Sequence, residues 1–594
     1  MNDSKWPNLA AMFFEQAARN GPKPFLWAKR DGQWRPLSWR ETAAEVSALA
    51  GGLVKLGVAK GERVILVSEN RPEWLIADLA IMAIGAVTVP AYTTNTTADH
   101  LHIINDSGAI GAIISTARLA ADFLPAAVEA GSVEFAVAME KPEAGEYGEG
   151  LSVHGWDEAL DRSAAGIEQA AAAWGPDDVA CIIYTSGTGG APKGVMLHHG
   201  AILHNCEGAR DALFELGLGD EVFLSFLPLS HSYEHTAGQF FPISIGAQIY
   251  YAEGIDSLGP NMVETRPTIM TAVPRLYEMM HSRIMRGIEK QGGLKKALFM
   301  KALELGRSRH QNPGSLNPLQ RIADAVLDKL VRDKVRARFG GRLKAMVSGG
   351  APLNPDIGMF FTGLGLTILQ GYGQTESAPV ISVNRPGRVR MDTVGPPMKE
   401  VEVRIAGDGE ILVRGQLVMK GYWKNGEATN QAIRDGWLHT GDIGELDEDG
   451  YLKITDRKKD IIVNSGGDNI SPQRIEGLLT MQPEIAQAMV YGDRHPYLVA
   501  LLVADAEWAK AWASENSKPG ELKTLAGDRD FLKALGGAVE RVNKGLSNIE
   551  RVRRQMAADE PFSVENGQMT PTMKVRRHKL KEAYGEALEG LYPK

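Results

Sequence analysis

The chain has 594 residues, 44% hydrophobic and 23% charged, with a formal net charge of −8. That length exceeds a single hydrophobic core and predicts about two to four domains of an ordinary globular, water-soluble kind. The negative balance argues against nonspecific nucleic-acid binding, while an anionic small-molecule substrate stays compatible, because local charge can oppose net charge. Two cysteines, Cys181 and Cys206, are too few for a disulfide framework or a Cys-rich metal site and suit a reducing compartment. Met1 to Trp6 shows no signal-like apolar run, and the longest largely apolar run, Leu79 to Val89, is too short to span a bilayer. The expected location is the cytoplasm, with peripheral contact at the inner face of the membrane left open.

In chain order, residues 1–60 read as a helix-rich opening. The stretch from Trp39 to Leu53 is amphipathic, continues through Val54 and predicts a helix stopped by Gly57. Val64 to Val67 reads as a strand, Trp74 to Ile84 as a helix, Ala86 to Val89 as a strand ended by Pro90, and Gly111 to Ser115 as a further strand. Strands alternating with helices predict parallel βαβ units. Residues 140–150 form a polar connection. Val179 to Ile183 reads as a buried strand, as do Glu221 to Leu227 and Ala247 to Tyr251. Leu276 to Leu305 reads as largely helical, basic and amphipathic, Gln311 to Pro318 as a break, and Leu319 to Phe339 as another helix. From Gly450 the texture changes. Tyr451 to Thr455 and Asp460 to Val463 predict a hairpin-like pair around Arg457-Lys-Lys459. A helix (Pro472 to Thr480), two strands (Ala486 to Tyr491, Leu498 to Ala504) and terminal helices follow, a smaller α+β domain of roughly 135 residues.

Several stretches carry chemistry. Tyr184-Thr-Ser-Gly-Thr-Gly-Gly-Ala-Pro-Lys-Gly-Val195 sets Thr185, Ser186 and Thr188 among Gly187, Gly189 and Gly190, and ends on Lys193. Glycines let backbone N–H groups approach an anion, and hydroxyls and an ammonium add donors and charge, which is the chemistry of a polyphosphate cradle. It is not the common P-loop, which needs Gly-Lys-Ser/Thr; a plain surface turn is the alternative. Ser348-Gly-Gly-Ala-Pro-Leu353, after a mostly apolar strand, could let a planar ring lie on its backbone or be an ordinary strand-to-helix turn. Leu369-Gln-Gly-Tyr-Gly-Gln-Thr-Glu-Ser377 brings an aromatic, a hydroxyl and a carboxylate together. Thr375 can donate to a phosphate, Glu376 can hold Mg²⁺ through oxygen, and Tyr372 can stack on a base. Asp442, after a Thr-Gly turn, can accept from vicinal hydroxyls or stabilise its own turn. His231 and His235 stand at i, i+4 spacing, but Glu234 is not placed as in the H-E-x-x-H zinc motif, so His231 is expected at a pocket wall. Lys574 follows a Thr-Pro-Thr turn and can project from a loop tip or be a solvated surface charge.

As a set these motifs resemble the adenylate-forming (AMP-binding) superfamily, which includes acyl-CoA synthetases, luciferases and nonribosomal adenylation domains. Five signatures stand in the family's order: Tyr-Thr-Ser-Gly-Thr-Gly-Gly, Gly-Gly-Ala-Pro, Gly-Tyr-Gly-Gln-Thr-Glu, His-Thr-Gly-Asp and Pro-Thr-Met-Lys. Within the family the chain looks most like bacterial long-chain fatty acyl-CoA synthetases, through Leu227-Pro-Leu-Ser-His-Ser-Tyr-Glu-His235, the run from Asp456 to Pro472 and the terminal Leu591-Tyr592.

The resemblance implies an α/β fold. A large N-terminal domain (1–456), with βαβ-type layered sheets and a small barrel-like subdomain, carries a smaller mobile α+β lid (457–594) that pivots near Lys459. It implies two half-reactions: a fatty acid carboxylate attacks the α-phosphorus of ATP, giving acyl-AMP and pyrophosphate, and the CoA thiol then displaces AMP. By motif, Thr185, Ser186, Gly187, Thr188, Gly189 and Lys193 would cradle the β- and γ-phosphates. Thr375 would bind the α-phosphate, and Glu376 would hold Mg²⁺. Gly350, Ala351, Gln370, Gly371 and Tyr372 would frame the adenine, and Asp442 and Arg457 would hold the ribose. Lys574 would bridge carboxylate and α-phosphate in the first step only, and His231 would stand by the reacting centre. Val463 replaces a second lysine of luciferase-like members, which lowers the odds of light-emitting chemistry. The expected partners are fatty acid, ATP and CoA, with no nucleic acid; the oligomeric state is open, a homodimer being one option. The alternatives are a fatty acyl-AMP ligase serving a carrier-protein thiol, a CoA ligase for a medium-chain or aryl acid, and a catalytically idle nucleotide sensor. No inserted block near residues 340–460 speaks for the carrier-protein ligase, and Glu376, Asp442 and Lys574 together speak against the sensor.

Overall fold

A computed structural model describes residues 6–140, 150–185, 191–312, 314–570 and 574–593. Two eight-stranded sheets build the large domain. In hydrogen-bonding order the first runs Val380–Val383, Ile368–Gly373, Ala345–Ser348, Ile269–Ala272, Val222–Ser225, Gln248–Tyr251, Pro24–Arg30 and Gln33–Ser38. The second runs Gly421–Tyr422, Lys193–His198, Val179–Thr185, Val87–Ala91, Arg63–Val67, Gly111–Ile114, Phe135–Ala138 and Ser152–Gly155. In the first sheet only the two end pairs are antiparallel; in the second, Lys193–His198 pairs antiparallel with both its neighbours, Gly421–Tyr422 and Val179–Thr185, and the remaining pairs, out to Ser152–Gly155, are parallel. The helix Pro72–Ala83 buries every residue but Glu73, as a helix that is apolar all round must. The helix Trp39–Lys55 opens on a capping box, Ser38 with Glu41, that satisfies two backbone donors, and its Trp39 ring stacks on Phe25 at 3.6 Å.

A five-stranded antiparallel sheet around Trp437–Leu446 forms the small subdomain, with Leu452–Arg457 paired along one side of that strand. The large domain's principal core closes at Leu452, and a separate core begins at Ile462. Between them the backbone turns, Asp460 and Ile461 both donating to the Arg457 carbonyl at 2.9 and 3.1 Å. The smaller domain packs helices on a three-stranded sheet, Ile485–Tyr491, Leu498–Ala504 and Val552–Ala557.

Four expectations need correction and one is refined. Residues 24–38 form a hairpin turned at Asp31-Gly32, both at positive φ; an Asp-Gly pair is a strong hairpin signal. Pro90 does not end its strand, which runs Val87–Ala91. That strand pairs with Val179–Thr185 at Thr88↔Cys181 only, so a missing donor two residues on is tolerated. The stretch 276–305 is helical as expected, and is divided into two helices, Pro274–Gln291 and Gly293–Gln311, where Gly292 and Gly293 both adopt positive φ. The helix 319–339 is interrupted by a wide turn, Asp328–Arg332. Tyr451–Thr455 and Asp460–Val463 do not pair: Leu452–Arg457 joins the small sheet, while Ile462–Val463 pairs with Asn469–Ile470.

Candidate active site

The strands Val179–Thr185, Ala345–Ser348 and Ile368–Gly373 all run toward one edge, where the sequence-marked loops leave them. Open parallel sheets bind ligands at the carboxyl ends of their strands. A cleft of about 960 Å³ lies there, lined by Thr185, Lys193, His231, Gly350, Gly371, Tyr372, Thr375, Glu376, Asp442, Arg457 and Lys574. Thus most of the sequence-predicted residues, scattered over nearly four hundred positions, converge. Ser186, Gly187, Thr188 and Gly189 lie outside the described residues. Ala351 and Gln370 do not line the cleft: Ala351 is exposed beyond the Gly350 turn, and Gln370 is buried. Strand side chains alternate faces, which turns Gln370 away while its neighbour Gly371 meets the cleft.

One end is tightly knit. Asp442 and Arg457 face each other across two paired strands, and Arg457 Nε donates to Asp442 Oδ1 at 3.1 Å. From the other sheet the Tyr372 hydroxyl donates to Asp442 Oδ2 at 2.7 Å. Both carboxylate oxygens are therefore engaged, and each retains acceptor capacity. Burial, then Asp442, raises the Tyr372 phenol well above its ordinary value. Burial works against the Arg457 charge, but Asp442 and Asp460 more than offset it.

Thr375 and Glu376 ride on a 3-10 turn, Thr375–Ser377, held by Asn205, whose side chain accepts from Val380 N at 2.8 Å and donates to the Ser377 carbonyl at 3.3 Å. Gly373 is required beneath it: a Cβ there would stand 1.8 Å from the Pro379 carbonyl oxygen. The Thr375 hydroxyl meets Ser232 Oγ at 3.1 Å. Glu376 Oε1 accepts from the Tyr422 hydroxyl at 2.8 Å. The Tyr422 ring in turn lies 5.0 Å from the Lys193 ammonium, a cation–π distance. Ser232 and Tyr422 are contributors that sequence reasoning missed. Ser232 sits inside a motif already singled out, whereas Gly421-Tyr-Trp423 carries no sequence signal for the role.

His231 lines the cleft, and its Nδ1 accepts from Tyr233 N at 3.2 Å; burial, then Lys574, pushes it down to about 3, so the ring is neutral at pH 7. His235 faces away, 2.9 Å from Asp78, both fully buried, which removes the histidine pair as a metal site. Lys574 arrives from the smaller domain. Burial and Arg457 pull it down to about 8, against the opposing pull of Asp442 and Glu376. The ammoniums of Lys193 and Lys574, the Arg457 guanidinium, the carboxylates of Glu376 and Asp442 and the hydroxyls of Thr185, Tyr372 and Thr375 thus line one space, an arrangement suited to an anionic ligand with both hydroxyl and phosphate groups.

The description AMP-binding enzyme matches residues 13–423, and AMP-binding enzyme C-terminal domain matches residues 459–594. The chain belongs to the AMP-binding enzymes. Among similar members of that family is a long-chain-fatty-acid–CoA ligase, FadD15, of Mycobacterium bovis, 36% identical over 99% of this chain and 97% of the relative. Another is the peroxisomal long chain acyl-CoA synthetase 6 of Arabidopsis thaliana, 33% identical over 94% of this chain and 82% of the relative. In fold, this AMP-binding enzyme resembles the A-PCP didomain of the carboxylic acid reductase from Segniliparus rugosus, determined in complex with AMP. The TM-score is 0.76 at 22% identity, covering 100% of this chain and 83% of that one. The large adenylate-forming domain with a smaller C-terminal domain is thereby established, and no described helix is long and apolar enough to cross a membrane.

Proposed function

We propose that this AMP-binding enzyme is an ATP-dependent ligase that converts a long-chain fatty acid to its CoA thioester. The observation that carries the reading is the convergence of Lys574, from the smaller domain, with Glu376, Asp442 and Arg457 of the larger one in a single cleft. Near-full-length relatives named as long-chain-fatty-acid–CoA ligases support the substrate class. We divide the chain at residue 456/457, between the two cores.

In the first half-reaction a carboxylate oxygen attacks the α-phosphorus, and the bond to the β-phosphate oxygen breaks to release pyrophosphate. Two anions must be brought together, so positioning and charge neutralisation carry the rate. Lys193, Thr185 and the glycine-rich loop (Ser186 to Gly189) hold the β- and γ-phosphates. Thr375 donates to the α-phosphate. Gly350, Gly371 and Tyr372 frame the adenine, and Asp442 with Arg457 holds the ribose hydroxyls. Lys574 bridges the carboxylate and α-phosphate, with neutral His231 alongside. In the second half-reaction the CoA sulfur, losing its proton, attacks the acyl carbonyl and AMP leaves. Rotation of the smaller domain about Lys459 withdraws Lys574 between the two, a gating motion.

The donor set fits Mg²⁺. Among the described residues no group of three or more His, Cys, Asp or Glu side chains could cage a metal. Glu376 has one oxygen taken by Tyr422 and the other without a hydrogen bond among them. Mg²⁺ is commonly held this way, by one or two carboxylates plus substrate phosphates and water. Bound there, it would neutralise phosphate charge.

A pyrophosphate-release assay over free acids from acetate to oleate, with and without CoA, tests the reading. Release that is greatest for long chains, with acyl-CoA as product, is expected. Acyl-AMP accumulating unchanged when CoA is added would favour a carrier-protein thiol as acceptor, and a preference for medium-chain or aryl acids would overturn the substrate class.

A further inference from the structure

One segment of the large domain, outside the cleft, departs from the rest of the chain in charge. Residues 281–344 hold sixteen Lys and Arg against five Asp and Glu, of which Arg332 is buried and Arg286 and Lys344 are paired with acids elsewhere in the chain. Within it, the helix Pro318–Leu327 and the turn Asp328–Arg332 are firmly anchored on one side. Arg332 is fully buried, donating to Asp324 at 2.6 Å and to the carbonyls of Ala302 and Gly363 at 2.6 and 2.9 Å. Leu327 enters a small core with Ala302, Leu305 and Leu316.

The opposite side presents Leu319, Ile322, Val326 and Leu330, which are 79, 64, 51 and 50% exposed. Their spacing of three, four and four residues sets them in one outward stripe. Isolated exposed apolar side chains need no explanation, whereas a contiguous row does. Exposed Lys329, Lys334 and Arg338 accompany the stripe and make no ion pair among the described residues.

We propose that this stripe, with its accompanying cations, is a docking surface for an anionic lipid bilayer. An amphipathic helix with apolar residues on one side and Lys or Arg beside them rests in the interface plane, its apolar side among the acyl chains and its cations at the headgroups. Charge selects this occupant over a second copy of the chain, since a two-fold contact would press the Lys329, Lys334 and Arg338 cations of both copies together. The inference goes beyond the ligase reading, which supplies only a motive: a long-chain acid partitions into membranes. Binding to vesicles requires no turnover, so the two readings fail separately.

The test is co-sedimentation of the full chain with phosphatidylcholine vesicles, with and without about 30 mol% phosphatidylglycerol, at low and high salt. Binding is expected only with the anionic lipid and only at low salt. L319S/I322S/V326S, which removes the stripe, and K329E/K334E, which reverses its charge, should each lower the bound fraction about tenfold. Pyrophosphate release with a soluble short-chain acid, without vesicles, should stay unchanged in both, which also reports folding. Absence of wild-type binding to anionic vesicles would overturn the proposal, as would wild-type binding by the charge-reversed variant. A serine variant that turns an oligomer into a monomer yet still binds vesicles would identify the stripe as a self-contact and overturn it too.

Discussion

The two ends of the cleft are built differently. At the Asp442 end both carboxylate oxygens are already held, by Tyr372 at 2.7 Å and Arg457 at 3.1 Å, on strands of two different sheets. At the other end the charges stand apart. Lys574 and Lys193 make no ion pair among the described residues, and Glu376 has a single hydroxyl donor. A network satisfied before ligand arrives supplies orientation and registers little change during reaction. Charges left without partners are those that a polyphosphate can neutralise, and their attraction can grow as charge develops. The difference suggests that the Asp442 end governs nucleotide affinity and the Lys574 end governs rate.

The sharpest way to break that division is Lys574→Ala. Adenylation should fall by about 10²–10³, while transfer from preformed acyl-AMP to CoA stays near wild type; stopped assays of the separate half-reactions read both. Full adenylation activity would remove Lys574 from the role. Next, Glu376→Gln should lower adenylation about a hundredfold at limiting Mg²⁺ and shift the Mg²⁺ dependence to higher concentration, whereas an unchanged Mg²⁺ titration would count against metal binding there. Asp442→Asn keeps the shape but replaces an acceptor by a donor, so KM for ATP should rise about ten- to a hundredfold with a smaller change in kcat. A loss confined to kcat would erase the proposed contrast between the ends.

The smallest expected effect lies behind the cleft. Glu234 is fully buried, its oxygens accepting from Ser225 and Thr271 at 2.6 Å each. Burial pushes it up to about 7, the two hydroxyls pulling the other way. Between its ordinary value and about 7 the folded chain holds more protons than the unfolded one, so stability falls as pH rises through that window and is lowest above it. Glu234→Gln should flatten this slope and stabilise the protein at pH 8 by about 1–3 kcal/mol. Melting temperatures at pH 5 and pH 8 measure it, and a variant no more stable at pH 8 would refute the account.

Much of this was readable in the chain. Glycines, hydroxyls and charges at fixed offsets mark Thr185, Lys193, Thr375, Glu376, Asp442 and Lys574 because their chemistry is local to short turns, and apolar alternation marks most strands. The hairpin at Asp31-Gly32 was also legible in principle, through its turn residues. Other features were not. Tyr422 meets Glu376 only because Gly421–Tyr422 pairs beside Lys193–His198, a long-range register with no local signature. Gln370 and Gly371 are adjacent in a motif, yet strand alternation gives them opposite surroundings. Leu319, Ile322, Val326 and Leu330 resemble an ordinary core stripe in sequence. The covalent order of residues therefore specifies which groups exist and which turns can hold them. Packing alone decides which groups meet and which apolar face stays outside, because burial and pairing depend on segments hundreds of residues away.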